Sequence, residues 1–336
     1  MLLGYFLNME GTMTEIQNLF SQSIICYITD NQPSTVSRYI SQHSFVSENE
    51  GEQKRKKYSY NTTREIIHNI AFNNLVPTKK TQVFFNFKGG TGKTSICYQI
   101  SSFFALCGFK VLAIDCDPQA HLSYCLGLDI HGDYQTLYDI IVNKTELRDA
   151  IKEIYPGLDC LPSNLSLTRL ESTLSNMPNR ERVFLKLLEP LKEEYDFIFI
   201  DTNPTISTIN RNATLAADEL NIVCETQPFS LKGLEILIEE LNSFSNIMEY
   251  NISVKIIANK YEQKTATSQE TLGSLRTNYK DYLMNSVIRK CEDINISSKK
   301  MQSVFFWCSK NSPAIEDIKD LGREMIFHST KKKDEQ

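Results

Sequence analysis

Residues 88–94 read Lys88-Gly89-Gly90-Thr91-Gly92-Lys93-Thr94, the stretch of this chain with the most chemistry per residue. Glycines let a backbone curl so that successive N–H groups face one anion, and a helix starting at such a loop adds positive potential. A lysine and a hydroxyl at its end supply a cation for the β- and γ-phosphates and a ligand for Mg²⁺. The predicted contacts are Lys88, Gly89, Gly90, Thr91, Gly92, Lys93, Thr94 and Ser95. One detail narrows the pattern. Phe87 stands where an ordinary phosphate loop has its first glycine, and a second lysine, Lys88, follows it. This is a nucleotide site.

Two aspartates sit where such a site needs them. Apolar runs end in Ile114-Asp115-Cys116-Asp117-Pro118-Gln119 and in Ile200-Asp201-Thr202-Asn203-Pro204. A strand that delivers a carboxylate to its loop end places it for Mg²⁺ or for an attacking water.

The elements that must hold these groups follow from the spacing of apolar residues. Short apolar runs predict strands over 83–87, 111–115, 158–161, 197–201, 220–225, 254–259 and 304–307. Amphipathic runs between them predict helices, among them 180–194, 231–247 and 314–325. The fold class is therefore α/β, with a mainly parallel sheet covered by helices on both faces. A small, mostly helical region precedes it. Ligands of such sheets sit at the carboxyl ends of the strands, where Gly89 and Asp201 both fall.

The 336 residues are 23% charged with a net charge of −5, so nucleic-acid binding would need a local basic patch. Nine cysteines, scattered without a Cys-x-x-Cys pair, suit a reducing cytoplasm better than disulfides, a zinc site or a cluster. No apolar run is long enough to span a membrane, and no basic residue precedes Arg38, which argues against a secretory signal. Met1, Met9 or Met13 could be the start.

With these motifs in hand, the chain resembles the ParA/MinD group of P-loop ATPases, and within it the plasmid-partition ParA type. Beyond the 88–94 loop, the resemblance rests on Asp115-Cys-Asp-Pro-Gln119, Leu158-Asp-Cys-Leu-Pro-Ser-Asn164 and Asp201-Thr-Asn-Pro204. It continues through Gln227-Pro-Phe-Ser-Leu-Lys-Gly-Leu234 and Ser309-Lys-Asn-Ser-Pro-Ala314, covering residues 81–326. It implies an ATP- and Mg²⁺-dependent ATPase, slow and stimulated by a partner. ATP would be sandwiched in a homodimer in which Lys88 reaches the other subunit's phosphates. It implies Lys93 as the phosphate-loop lysine, Thr94 as Mg²⁺ ligand and Asp115 as the residue positioning water. Asp201 would hold Mg²⁺ through water, and Asn259 would lie near adenine. Two departures are Cys224-Glu225-Thr226, where a proline is common in relatives, and Asn203, close to the loop that senses the γ-phosphate.

The family's role would be segregation of a plasmid or chromosome with a centromere-binding, ParB-type partner, on non-specific DNA and close to the nucleoid. Arg289 and Lys290 lead a C-terminal basic cluster for that DNA contact. Alternatives are an operator-binding repressor switched by ADP and ATP, and a MinD-like ATPase acting at a membrane surface.

Three segments are expected: residues 1–80, 81–328 and 329–336. The first resembles a winged helix-turn-helix: a helix ending near Ile28, a turn, and a second helix capped by Ser34 with Ser37 and Arg38 facing a groove. Lys54, Arg55, Lys56 and Lys57 would grip phosphates, including those of the chain's own operator. A helical packing extension with a solvated basic loop is the rival reading. The last segment, with Lys331-Lys332-Lys333, reads as a disordered tail.

Overall fold

The computed structural model describes residues 19–48, 56–129 and 131–333. The N-terminal region contains β1 (Phe20–Ser21), α1 (Gln22–Thr29), α2 (Pro33–Gln42), β2 (Lys57–Tyr58), α3 (Tyr60–Ala71) and β3 (Leu75–Pro77). β1 and β2 pair antiparallel beneath the helices. α2 begins at Pro33 with Gln32 as its cap, so Ser34 is not the cap expected of it. Proline, with φ preset and no N–H to lose, takes the first helical position. Ser34, Ser37 and Arg38 are exposed on α2, and Lys56 and Lys57 are exposed beside β2. Lys54, Arg55 and the three candidate start methionines lie outside the described residues.

The central sheet has eight strands: β4 (Thr81–Phe85), β5 (Val111–Asp115), β6 (Lys152–Tyr155), β7 (Leu158–Leu161), β8 (Phe197–Asp201), β9 (Glu219–Glu225), β10 (Val254–Tyr261) and β11 (Leu283–Arg289). Their spatial order is β11-β10-β9-β4-β8-β5-β7-β6. All neighbours are parallel except the edge pair β6–β7. Both faces are apolar, which is why these strands read as continuous hydrophobic runs instead of alternating ones. Phe84, Phe197 and Phe199 point to one face; Val83, Phe85, Ile198 and Ile200 point to the other. On the first face Phe104, from α4 (Lys93–Leu106), meets Phe197 and Phe199 edge-on at 4.8 and 5.0 Å between centroids. That geometry sets ring edges against ring faces.

The N-terminal region shares this core. Phe20, Ile25, Ile28, Ile66 and Ile67 belong to the same apolar cluster as Phe103, Phe104 and the helix Pro313–Ser329. Polar contacts tighten the seam. Arg64 donates to the carbonyls of Ala105, Gly108 and Phe109 at 2.8, 2.8 and 3.0 Å. It thereby satisfies one carbonyl in the last turn of α4, at Ala105, where helical donors run out, and two in the loop that follows. Asp30 pairs with Lys319 and Arg323 of the last helix.

Four expectations change. Residues 304–307 form a short helix, Val304–Trp307, and not a strand: the Gln99 side-chain carbonyl accepts from Ser303 Oγ and the Val304 N–H at its start. A four-residue apolar run does not by itself distinguish the two. The helix expected over 180–194 is broken at Pro190 into an α-helical segment, Val183–Leu188, between two 3₁₀ turns. Proline removes the N–H that would continue it. Lys331 and Lys332 are not a disordered tail: β12 (Thr330–Lys332) pairs antiparallel with β3 and closes over the 77–80 linker. β11, interrupted by Asn285 and Ser286, and the edge strand β6 had no apolar run to announce them.

Arg64→Ala should destabilise the full chain by about 2–3 kcal/mol, the scale for losing several hydrogen bonds from one charged group. Urea unfolding measures this, with the exposed neighbour variant Glu65→Ala expected to stay within about 0.5 kcal/mol of wild type.

Candidate functional site

The phosphate loop begins where β4 leaves the sheet. Asn86 diverts the chain: its Nδ2 donates to the Val223 carbonyl at 2.8 Å and its Oδ1 accepts the Lys88 N–H at 2.9 Å. The strand therefore stops at Phe85, two residues before the expected end. Gly90 and Gly92 have φ of +77° and +93°, a region that side-chain-bearing residues rarely adopt. A Cβ on Gly92 would also collide with the Asn259 amide. α4 starts at Lys93, leaving its first backbone N–H groups directed at the loop.

Asn259, expected near adenine, contacts the phosphate loop in this structure. Its Nδ2 donates to the Thr91 carbonyl at 2.7 Å and the residue is buried, so its amide helps to hold the loop. Lys260, which the sequence reading missed, donates to the Gly90 carbonyl from the same strand end. β10 thus grips the phosphate loop through two adjacent side chains.

The two aspartates stand side by side. β5 and β8 pair in parallel with Asp115 opposite Asp201, and both residues are fully buried. Asp201 Oδ2 accepts from Thr94 Oγ1 at 2.7 Å, whereas Oδ1 has no hydrogen-bond partner. Asp115 is better satisfied: Oδ1 accepts the Asp117 N–H at 3.0 Å, and Oδ2 accepts both the Ser123 N–H and its hydroxyl at 2.8 Å. Burial nevertheless raises the Asp115 carboxyl to about 6. Burial, with the neighbouring Asp115 charge, raises Asp201 as well, against the pull of Thr94 and Lys93. Burial lowers Lys93, while Asp201 and Asp117 favour its charged form. Ser123 and Asn86 were also missed; neither belongs to a pattern visible in sequence.

Lys88 and Gly89 are exposed at the mouth of the loop, Thr94 and Ser95 are partly buried, and Lys93 lies beneath. Downstream of Asp201, Asn203 Oδ1 accepts from Thr205 Oγ1 at 2.6 Å and from Asn210 Nδ2 at 2.9 Å, folding that loop on itself. The C-terminal basic pair divides. Arg289 is tied down by Asp317 and Glu316, with Nη2 at 2.6 Å from each, so it is an internal strut instead of a free cation. Lys290 reaches Glu262 at 3.1 Å but stays largely exposed.

A pH effect follows from the Asp115 environment. Its carboxyl is raised from 3.8 to about 6 on folding, so the folded chain holds that proton after the unfolded chain has lost it. Stability from this group is present below the unfolded value and is lost as pH climbs through about 6. Relative to Asp115→Asn, the nucleotide-free and metal-free wild type should lose about 2 kcal/mol between pH 4 and 6.5. Chemical denaturation of both proteins across that range checks the slope.

Against known proteins, a family model described as an AAA domain matches residues 79–256. The cell division protein PomZ of Myxococcus xanthus is 32% identical over 244 residues, 72% of this chain and 76% of its own. A virulence plasmid ParA family protein of Chlamydia psittaci is 31% identical over 251 residues, 73% of this chain and 94% of its own. Among solved structures, the ATP complex of McdA from Cyanothece has a TM-score of 0.66 at 20% identity, covering 75% of this chain and 97% of that one. That last likeness is one of fold. Joined to the loop, the paired aspartates and the parallel sheet, these matches show that the chain belongs to the ParA/MinD group of P-loop ATPases.

Proposed function

We propose that this protein is an ATP-dependent partition ATPase of the ParA type, active as an ATP-sandwich homodimer on DNA. One observation carries the reading. A second lysine, Lys88, stands exposed at the mouth of a phosphate loop whose inner wall already holds Lys93, Thr94, Asp115 and Asp201. Lys93 would serve the phosphates from beneath, and Lys88, once free of Glu225, would reach outward to a second copy.

The residues fit ATP and Mg²⁺. Asp201 Oδ1 and Thr91 Oγ1 are buried polar atoms without partners, an arrangement that a bound ligand would relieve. The N–H groups of residues 89–94 and Lys93 would bind the phosphates. Thr94 would hold Mg²⁺ directly and Asp201 through water, and the ion would neutralise charge on the transferring group. Asp115, held by Ser123 and Asp117, would orient the attacking water. Lys88 would complete the charge on a second copy's nucleotide, making hydrolysis dimer-dependent and slow until a centromere-binding, ParB-type partner stimulates it.

DNA contact would fall to Lys290 and the exposed lysines around it, with Arg289 withdrawn by its carboxylate partners. A cytoplasmic, nucleoid-associated location accords with this. The exposed Ser34, Ser37 and Arg38 on α2 favour a second role for residues 1–80, binding the chain's own operator. A membrane-surface role has less support, because Ile315, Ile318, Leu321, Met325 and Ile326 of the last helix are spent in the core. Among the described residues, no helix is long and apolar enough to cross a membrane.

Fluorescence anisotropy on a random-sequence duplex tests the main reading. Binding should require ATP and Mg²⁺, fail with ADP and be lost in Lys88→Ala; equal binding in all three conditions would refute it. Asp115→Ala should keep nucleotide affinity but lower the hydrolysis rate about 10²–10⁴-fold, as measured by phosphate release. For the operator, footprinting with ADP should lose protection in Arg38→Ala.

A further inference from the structure

The exposed lysine of the phosphate loop has a partner that phosphate binding does not call for. Lys88 Nζ lies 2.8 Å from Glu225 Oε2 at the end of β9. Glu225 Oε1 lies 2.7 Å from Lys260 Nζ, and Lys260 also donates to the Gly90 carbonyl. Ser230 Oγ, in the first turn of the helix Pro228–Met248, is 3.5 Å from Lys88 Nζ. The carboxylate is the inner member of the set, its side chain 12% exposed against 45% for Lys88. One glutamate therefore divides its two oxygens between two lysines from different segments.

We propose that Glu225 is an autoinhibitory counter-ion: it parks Lys88 on its own subunit and so opposes ATP-dependent dimerisation. This rests on the sandwich reading above, in which Lys88 must serve a second copy's phosphates. The lysine head sits on one flexible stem, so the stem must leave Glu225 to carry it outward to a partner's phosphate, and the two contacts compete. Its release is cheap by construction. When Lys88 swings out, Glu225 keeps Lys260 on its other oxygen, so no bare carboxylate is left in a half-buried site. Lys260 in turn keeps its hold on the Gly90 carbonyl, and the loop does not lose its shape. The contact biases the lysine inward without locking it there, as a partly exposed ion pair should.

Glu225→Gln preserves the side-chain shape and removes the charge. Sedimentation equilibrium of the full chain with Mg²⁺ and a non-hydrolysable ATP analogue reads the result. The dimer dissociation constant should fall about three- to fivefold, the scale of a partly exposed pair. Nucleotide affinity measured at protein concentrations where the chain is monomeric should not change. The gap between variant and wild type should close as salt is raised, a response that a purely structural effect would not show. Lys88→Ala should give no nucleotide-dependent dimer, with or without the Gln substitution. Equal or weaker dimerisation of Glu225→Gln, with Lys88→Ala still monomeric, would overturn the parking role and leave the sandwich dimer standing. Wild-type dimerisation of Lys88→Ala would overturn both. If the Gln variant folds poorly, Glu225→Asp keeps the charge but shortens its reach to both lysines, and it carries the same expectation and the same refutation.

Discussion

Two carboxylates held side by side out of water are the constraint around which this molecule is arranged. Asp115 and Asp201 end adjacent parallel strands, and both are fully buried. Charges in such a place are costly unless donors or cations meet them. Asp115 is met by Ser123 and the Asp117 N–H, and Asp201 by Thr94 with Lys93 nearby. Only a sheet covered on both faces keeps water out at that point, and only parallel strands bring both ends to one edge. The apolar faces of β4, β5 and β8 are thus conditions for the chemistry as much as for stability.

α4 links this site to the rest of the protein. It begins at Lys93 and Thr94 in the phosphate loop, and Arg64 from α3 binds the Ala105 carbonyl in its last turn and the Gly108 carbonyl just beyond. The N-terminal region is therefore fused to the far end of the helix that carries the phosphate-binding residues. Asp30 fastens α1 to the last helix, and β12 returns to pair with β3. The N-terminal helices are thus braced against the ATPase core instead of hanging from a linker.

The legibility of the sequence varied with the kind of signal. Strands over 111–115, 158–161 and 197–201 match their expected bounds, because buried parallel strands are unbroken apolar runs closed by turn residues. The run at 304–307 carried no such information, since its helical form depends on Gln99 from another element. β11 is a sheet edge with polar residues inside it, and its strand character comes from pairing with β10. Lys331 and Lys332 looked disordered because composition says nothing about β3 waiting beside them.

What the sequence by itself determined is the backbone chemistry of the phosphate loop and the placing of two aspartates at strand ends. Both follow from local rules: positive φ at glycine, the helix that starts at Lys93, and apolar runs that must be buried. The tertiary structure alone decided what each long polar side chain touches. Asn259 binds the loop, Arg289 is neutralised by Asp317, and Lys88 meets Glu225 across 137 residues of sequence. The reason is physical. A charged side chain takes its partner from whatever the fold brings within a few ångströms, and no local periodicity encodes that meeting.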